Sequence, residues 1–572
     1  MTVVHAGLLA QLLLTGLAVT LAYAVRTDRA RAVASGLTCA ALAGAGVVTG
    51  AYALGGHRGS LTVPTALPGG HLTLAPDRLG GVFMLVASGV GVLVAVYAIG
   101  YASSGASASR TCWAALAVFE VGMQMVPAGA DLVAFLLAWE LMAVASTVLV
   151  LTDQASRPAV RSAALWYTAM TQLSFLLVLA GLSVLAAQSG STGFAAMAAV
   201  RPGSGAAALA FVLLVLGFGT KAGLVPMHVW LPRAHAEAPS HVSAAMSAAM
   251  VAMGVYGMVL VCVRLLPDGP PWWGVALVAL GAVSALYGIL QASVASDVKR
   301  LLAYSTTENV GLMVLALGAS VLLRGSGAIA VADAAVTACL LLVVAHAAFK
   351  VTLFLGAGSV LHATGERDLD RLGGLGPRMP WTAGAFGVAA LAAAALPVTA
   401  GFVAEWTLLQ SLIHGARLQD RLVTVVMPLA VAAVALTAGL ALLTFVKAFG
   451  IAFLARARSD AAAAAHEAAV PMRIALVAGA GCVVLLGVLP GPVGSVLAAA
   501  VGAHGVTTVG LGGLDLTTLG ALLDPLALAV MAAVVALPVL VAALASARRH
   551  PRRRTALAWG GGGARVSPRM QY

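Results

Sequence analysis

The sequence predicts an all-α integral membrane protein of about 14–15 transmembrane helices, and three observations carry the prediction. Composition is the first: of 572 residues, 61% are hydrophobic and only 9% charged, with a mean hydropathy of +1.01. A soluble domain carries about 25% charged residues, so charges this sparse do not cover a water-exposed surface of this size. The second is the recurrence, along almost the whole length, of apolar runs of about 20 residues, each enough to cross a hydrocarbon core of roughly 30 Å. In lipid the backbone amides must be satisfied within the segment, so these runs are expected to be helices. The third is the placing of basic residues in the short connections between runs.

In order, the expected spans are 5–24, 32–54, 80–100, 111–127, 131–151, 161–187, 206–227, 241–266, 274–292, 301–323, 328–361, 382–411, 423–454, 473–500 and 520–545. The first lacks a basic segment ahead of it and a good cleavage site, so it reads as a retained helix rather than a signal peptide. The run 328–361 exceeds one crossing, which implies tilt or a bend. Arg26, Arg29 and Arg31 follow the first span, and Arg157 and Arg161 the fifth. Lys299 and Arg300 follow the ninth, Arg367, Arg371 and Arg378 the eleventh, and Arg456 and Arg458 the thirteenth. Arg548, Arg549, Arg552, Arg553 and Arg554 follow the fifteenth. Every cluster follows an odd-numbered span, which predicts an external N-terminus and a cytoplasmic C-terminus in the plasma membrane. One span miscounted midway would reverse the later clusters, so the agreement supports the count. The Gly-rich, basic segment 560–572 is expected to be disordered.

The formal net charge of +12 is explained by these loop arginines and does not indicate nucleic acid as a partner. Cys39, Cys112, Cys262, Cys339 and Cys482 are isolated in apolar runs with no CxxC, so neither an iron–sulfur nor a zinc site is expected. The stretch His228-Val-Trp-Leu-Pro-Arg-Ala-His-Ala-Glu-Ala-Pro-Ser-His241 is interrupted by Pro232 and Pro239 and has no zinc-site spacing. It reads instead as a polar, water-lined connection between helices. Asp297-Val-Lys-Arg300 reads as a helix start anchored at the membrane interface.

An ionisable side chain in mid-membrane costs roughly 2.5–3.5 kcal/mol on insertion scales, so each one needs a reason. Glu140 sits in the fifth span, Lys221 late in the seventh, and His346 and Lys350 one turn apart on one face of the eleventh. Glu405 follows a break in the twelfth, and Lys447 lies in the thirteenth. Two segments read as broken helices, Lys221-Ala-Gly-Leu-Val-Pro226 and Pro397-Val-Thr-Ala-Gly401. Breaks of this kind in corresponding parts of a transporter mark its ion path. Burial penalises charge on Lys and on Glu alike, so such groups can change protonation state and hand protons on. The competing reading is static interhelical ion pairs, and for Lys447 a side chain that snorkels from a helix end.

At these residues the sequence resembles the antiporter-like subunits of respiratory complex I and the large subunits of Mrp-type sodium/proton antiporters. The motifs are Lys221-Ala-Gly-Leu-Val-Pro-Met-His-Val-Trp-Leu-Pro with His235-Ala-Glu-Ala-Pro-Ser-His-Val-Ser, Asp297-Val-Lys-Arg-Leu-Leu-Ala-Tyr-Ser, and His346-Ala-Ala-Phe-Lys-Val-Thr-Leu-Phe-Leu-Gly-Ala-Gly-Ser. Thr306-Thr-Glu-Asn-Val-Gly311, His362-Ala-Thr-Gly-Glu-Arg-Asp with Leu372-Gly-Gly-Leu, and Gly401-Phe-Val-Ala-Glu-Trp406 resemble one branch. That branch holds the membrane subunits of group 4 nickel–iron hydrogenases, the hydrogenase-4 component B and formate hydrogenlyase subunit 3 type.

The resemblance implies two inverted five-helix repeats and two broken helices. It divides the chain into N-terminal helices 1–110, a first antiporter-like half 111–266, a second half 267–460, C-terminal helices 461–547 and a basic cytoplasmic tail 548–572. It implies a proton pathway through Glu140, Lys221, His228, His241, His346, Lys350 and Glu405, with Glu140 and Lys221 as the first-half pair. The expected function is proton translocation coupled to redox chemistry in partner subunits. The alternative is a subunit of a multi-subunit sodium/proton antiporter. No catalytic centre, metal or cofactor is expected in this chain. Expected partners are other membrane subunits and a peripheral arm with nickel–iron hydrogenase-like and iron–sulfur subunits, besides the lipid bilayer. The chain departs from its relatives at Ala252, Ser247 and Leu342, where they carry Lys or His. Two alternatives follow: Ser243, Ser247, Tyr256 and water bridge the halves, or the central link is impaired.

Overall fold

The computed structural model describes residues 2–549, apart from 67, 68, 156 and 455. The expected tail lies outside the described residues from 550 onward. The helices are α1 Val3–Ala24, α2 Asp28–Leu54, α3 Arg78–Tyr101, α4 Arg110–Met125, α5 Leu132–Val150, α6 Pro158–Ser189 and α7 Phe194–Ala199. They continue with α8 Ser204–Ala222, α9 Leu231–Glu237, α10 Ser240–Ala245, α11 Val251–Leu260, α12 Pro271–Val294, α13 Val298–Gly325 and α14 Ile329–Thr364. The last are α15 Pro380–Ala393, α16 Ala400–Gly415, α17 Arg421–Phe449, α18 Asp460–Ala463, α19 Val470–Val488, α20 Pro490–Ala500 and α21 Pro525–Arg549.

Among the described residues, thirteen helical stretches are long and apolar enough to cross a membrane. The 16-residue α4 and the pair α15 and α16 complete the expected fifteen. The rare polar residues between apolar runs set the helix starts. Asp77, Ser109, Asp131, Asp297, Thr399 and Asp420 each accept a backbone N–H of the first turn, as N-caps do.

The helical fold the sequence predicts also carries two small sheets: strands β1 Leu61–Pro64 and β2 His71–Leu74 pair antiparallel, and β3 Val506–Val509, β4 Gly513–Leu516 and β5 Ala521–Leu523 form a second antiparallel sheet. The first sheet lies in the connection between the second and third spans, whereas β5 takes up the start of the expected span 520–545, whose helix begins only at Pro525. The span 473–500 is also two helices, because Pro490 and Pro492 flank Gly491 where α19 would continue, and proline cannot supply the next N–H.

Glycine rows fix the tightest helix pair. Cβ atoms on Gly281 and Gly288 of α12 would meet Gly311 O and Glu308 N of α13, each at 2.5 Å. Only a bare backbone permits that approach, the small-residue packing that holds helices together in lipid. It brings Glu308 against α12.

The loops sort onto two faces. Arg31 Nη1 donates to Ala108 O at 2.9 Å, joining the loops after the first and third spans. Glu237, at the end of α9, pairs with Arg157 and with Arg367 (2.9 Å), and Arg367 pairs with Asp297 at 2.8 Å. Arg458 Nη1 donates to Leu369 O at 3.1 Å. Loops after the fifth, seventh, ninth, eleventh and thirteenth spans thus meet on one face. Opposite, Thr73 N donates to Asp131, Arg264 pairs with Asp77, Arg201 pairs with Asp268, and His504 N donates to Asp333. These join connections after even-numbered spans.

Candidate functional site

Lys221 is placed by a helix ending. Gly223, at φ +83°, turns α8 into a left-handed cap, with Gly223 N and Leu224 N both donating to Gly219 O at 2.9 Å. A short 3-10 turn, Met227–Trp230, then leads into α9. The freed backbone groups find new partners: Trp230 Nε1 donates to Thr220 O at 2.8 Å, and Val225 N donates to Ser284 Oγ at 3.1 Å. This is how a membrane helix tolerates a break.

Lys221 is fully buried and, among the described residues, makes no ion pair. Its Nζ donates to Tyr167 Oη at 3.5 Å and lies 5.8 Å from the Trp139 ring centre and 5.6 Å from that of Tyr167. Tyr167 Oη is 2.6 Å from Ser146 Oγ and 3.2 Å from Met250 Sδ. Glu140, the expected partner, instead accepts from Gln172 Nε2 at 2.7 Å, and its second oxygen has no protein partner. The pair interacts by field rather than by contact.

Lys350, in the unbroken α14, is likewise buried without an ion pair among the described residues. It donates to Ser305 Oγ and to Leu302 O (3.1 Å), and lies 5.9 Å from the Phe445 ring centre. One turn along α13 is Glu308, fully buried, whose Oε2 accepts from Asn309 Nδ2 at 3.2 Å. Glu308 lies within the fields of both Lys350 and Glu405. Glu405 is buried in the second turn of α16, just past the interruption. Within that interruption Ala395 (φ +49°) and Val398 (φ +70°) take left-handed conformations. For a β-branched valine this is a strained geometry of the kind stored at functional sites.

Ser247 is the link that contacts show. It lies in the π-turn Met246–Met250 with its Oγ 2.8 Å from Thr306 Oγ1, which donates to the Leu302 O that Lys350 also uses. Single π-turns inside α-helices are frequent at functional sites. Met250, the contact of Tyr167, closes the same turn. Ser243 donates instead to His235 O, Ala238 O and Pro239 O, and Tyr256 Oη donates to Pro127 O at 3.5 Å, so neither contacts the Lys350 side.

His346, His235 and His241 are fully buried, with both ring nitrogens of each free of protein partners. Lys299 is buried with them, donating to Ala238 O at the joint of α9 and α10. The field of Lys299 reaches His235 and His241, and that of Lys350 reaches His235 and His346. His228 stands apart, its ring edge-on to Tyr287 at 4.8 Å. Lys447 donates to Ser293 O (3.0 Å) and Ala295 O (3.1 Å), capping the end of α12. Among the described residues, no three His, Cys, Asp or Glu side chains converge to hold a metal ion.

Sequence reasoning passed over Glu308, Lys299, Tyr167 and Thr306 as site residues. Glu308 lies inside an expected span, so the test applied to Glu140 would have found it. Lys299 read as a surface anchor. The hydroxyls carry no sequence signal, being ordinary in membrane helices.

The transmembrane family described as NADH:quinone oxidoreductase/Mrp antiporter matches residues 129–428. An uncharacterized protein of Mycobacterium tuberculosis is 49% identical over 544 residues, covering 94% of this chain and 84% of its own length. Hydrogenase-4 component B of Escherichia coli is 36% identical over 426 residues, covering 73% of this chain and 62% of that protein. A chain in the structure of the membrane-bound sulfane sulfur reductase, an archaeal respiratory membrane complex, shares the fold with a TM-score of 0.77 at 22% identity, over 99% of this chain and 86% of that one. With a family match spanning more than half its length, this chain belongs to the NADH:quinone oxidoreductase/Mrp antiporter family, as one of its antiporter-like multi-pass membrane subunits.

Proposed function

We propose that the chain translocates protons as a membrane subunit of a redox-driven complex, along a line through Glu140, Lys221, Ser247, Lys350, Glu308 and Glu405. One observation carries this over static ion pairing: Lys221 and Lys350 are both buried, yet each hydrogen-bonds only neutral groups. A lysine in a tight ion pair strands a buried carboxylate when it loses its proton, at a cost of several kcal/mol. A lysine held by hydroxyls and carbonyls, with its carboxylate one group away, does not. Glu140 favours charge on Lys221 through space. Weakening that field releases the proton towards Tyr167 and the π-turn, and Lys350 passes it to Glu308 and Glu405. His235 and His346 are polar groups within the field of Lys350, and Lys299 and His241 lie behind them towards the joint of α9 and α10, so water entering there can reach the line. His228 sits off this line.

The loops that share the Arg157, Arg367 and Arg458 face are the cytoplasmic ones in this reading, so a reporter fused after Arg554 is active in the cytoplasm. The likeness to hydrogenase-4 component B supports a peripheral redox arm of nickel–iron hydrogenase-like and iron–sulfur subunits as the partner. The test is proton uptake into vesicles holding the purified complex during electron turnover. Uptake is expected in the wild type and is lost in Lys221→Met while electrons still flow to an artificial acceptor. Sodium-driven proton movement with no redox partner would replace this reading with the antiporter one.

A further inference from the structure

Outside the residues matched to the family, the bundle α1–α4 buries a second set of polar groups. Glu120, in α4, is fully buried, and neither carboxylate oxygen has a protein partner among the described residues. One turn on, Gln124 is fully buried with both amide atoms unpartnered, and so is Ser88 Oγ of α3. Gln124 Oε1 and Ser88 Oγ both lie within 2.6 Å of where a Cβ on Gly46 would sit, so that glycine leaves a space edged by oxygens. Glu120 Cδ lies 3.7 Å from the matching position on Gly91.

These groups belong to a line. On α2, Arg31, Ser35 and Cys39 follow at one-turn spacing from the face where Arg31 binds Ala108 O, and the field of Glu120 reaches Cys39. All three are buried, and Ser35 Oγ has no protein partner. Beyond Gly46 the line continues to Thr49 Oγ1, which accepts from Gln11 Nε2 at 3.0 Å. A lone carboxylate here is too costly to leave charged and unpaired, and buried polar groups without protein partners are the places that water occupies.

We propose that α1–α4 hold a second proton-exchanging site, with Glu120 as its carboxyl and Ser35, Ser88 and Gln124 as the polar groups that connect it to water. The proton arrives from water at a rim of the bundle, is held on a Glu120 oxygen, and leaves by the same groups. The site is separate from the Lys221–Lys350 line and is measurable whether or not the complex pumps.

The test is infrared spectroscopy of the full chain in lipid nanodiscs, in H2O and in D2O. The wild type minus Glu120→Gln difference should contain the C=O band of a protonated carboxyl. That band should move down in D2O, move again in Gln124→Leu, and stay in place in Lys221→Met. If Glu120→Gln does not accumulate folded, the displacement by Gln124→Leu identifies the band. A band that never responds to D2O would mean a sealed structural acid and would overturn the proposal. So would absence of the band together with a sodium-dependent rise in Tm that Glu120→Gln abolishes, since that outcome makes the site a cation site.

Discussion

The surroundings of Lys221 and Lys350 solve one problem in two ways. Lys221 ends a broken helix, touches a tyrosine hydroxyl between two aromatic rings, and has one carboxylate, Glu140, held off by Gln172. Lys350 sits in the middle of a 36-residue helix with a serine and a carbonyl, and the break lies instead beside its distal carboxylate, Glu405. A second carboxyl group, Glu308, one turn from Ser305 on α13, lies within the fields of both. The difference teaches that the backbone break need not accompany the lysine. What the two share is a neutral first contact and a carboxylate one step further.

The comparison can be broken most drastically through the helix pair that positions Glu308. Gly281→Leu should force α12 from α13, at a cost of about 3 kcal/mol or more, and little folded subunit should reach the membrane by fluorescence size-exclusion. Gly16→Leu, whose Cβ meets nothing within 4 Å, should be silent in the same assay.

A finer cut separates the two carboxylates. Glu308→Gln removes the nearer carboxyl group, and each loss of about 1.4 kcal/mol in its interaction with Lys350 is tenfold in proton occupancy. Proton uptake per electron should therefore fall, with folding intact because the amide keeps the shape. If Glu405→Gln halts uptake while Glu308→Gln does not, the line skips α13.

The smallest expected effect falls on the link. Ser247→Ala deletes the hydrogen bond to Thr306, worth about 1 kcal/mol or roughly fivefold, and should slow uptake by that much. Tyr256→Phe should leave it unchanged, although the sequence made the two equal candidates.

Legibility followed the physics of each feature. Spans, and the sorting of loops onto two faces, come from residues that act alone: apolar runs, Arg in connections, Asp and Ser caps. The break at Lys221 was visible because Gly223 and Pro226 dictate it locally. The two small sheets were not, since the connections 55–77 and 501–524 carry no alternation strong enough to separate strand from loop. Nor was the separation of Glu140 from Lys221. Which side chain fills the gap between two helices depends on their rotation, and Trp139, Tyr167 and Gln172 have no sequence mark that places them there. Glu120 and Glu308 were legible and passed over: both break the same rule that singled out Glu140.

The central claim is that Glu140 and Lys221 work as one proton-carrying unit without touching. It is tested most directly by the proton-to-electron ratio of the reconstituted complex carrying Glu140→Gln, Lys221→Met and both. The account predicts a strongly reduced ratio in each single variant and a double variant little worse than either, since coupled groups are not additive, while electron turnover with an artificial acceptor falls less. Single variants that pump at the wild-type ratio would make both residues structural and contradict the account.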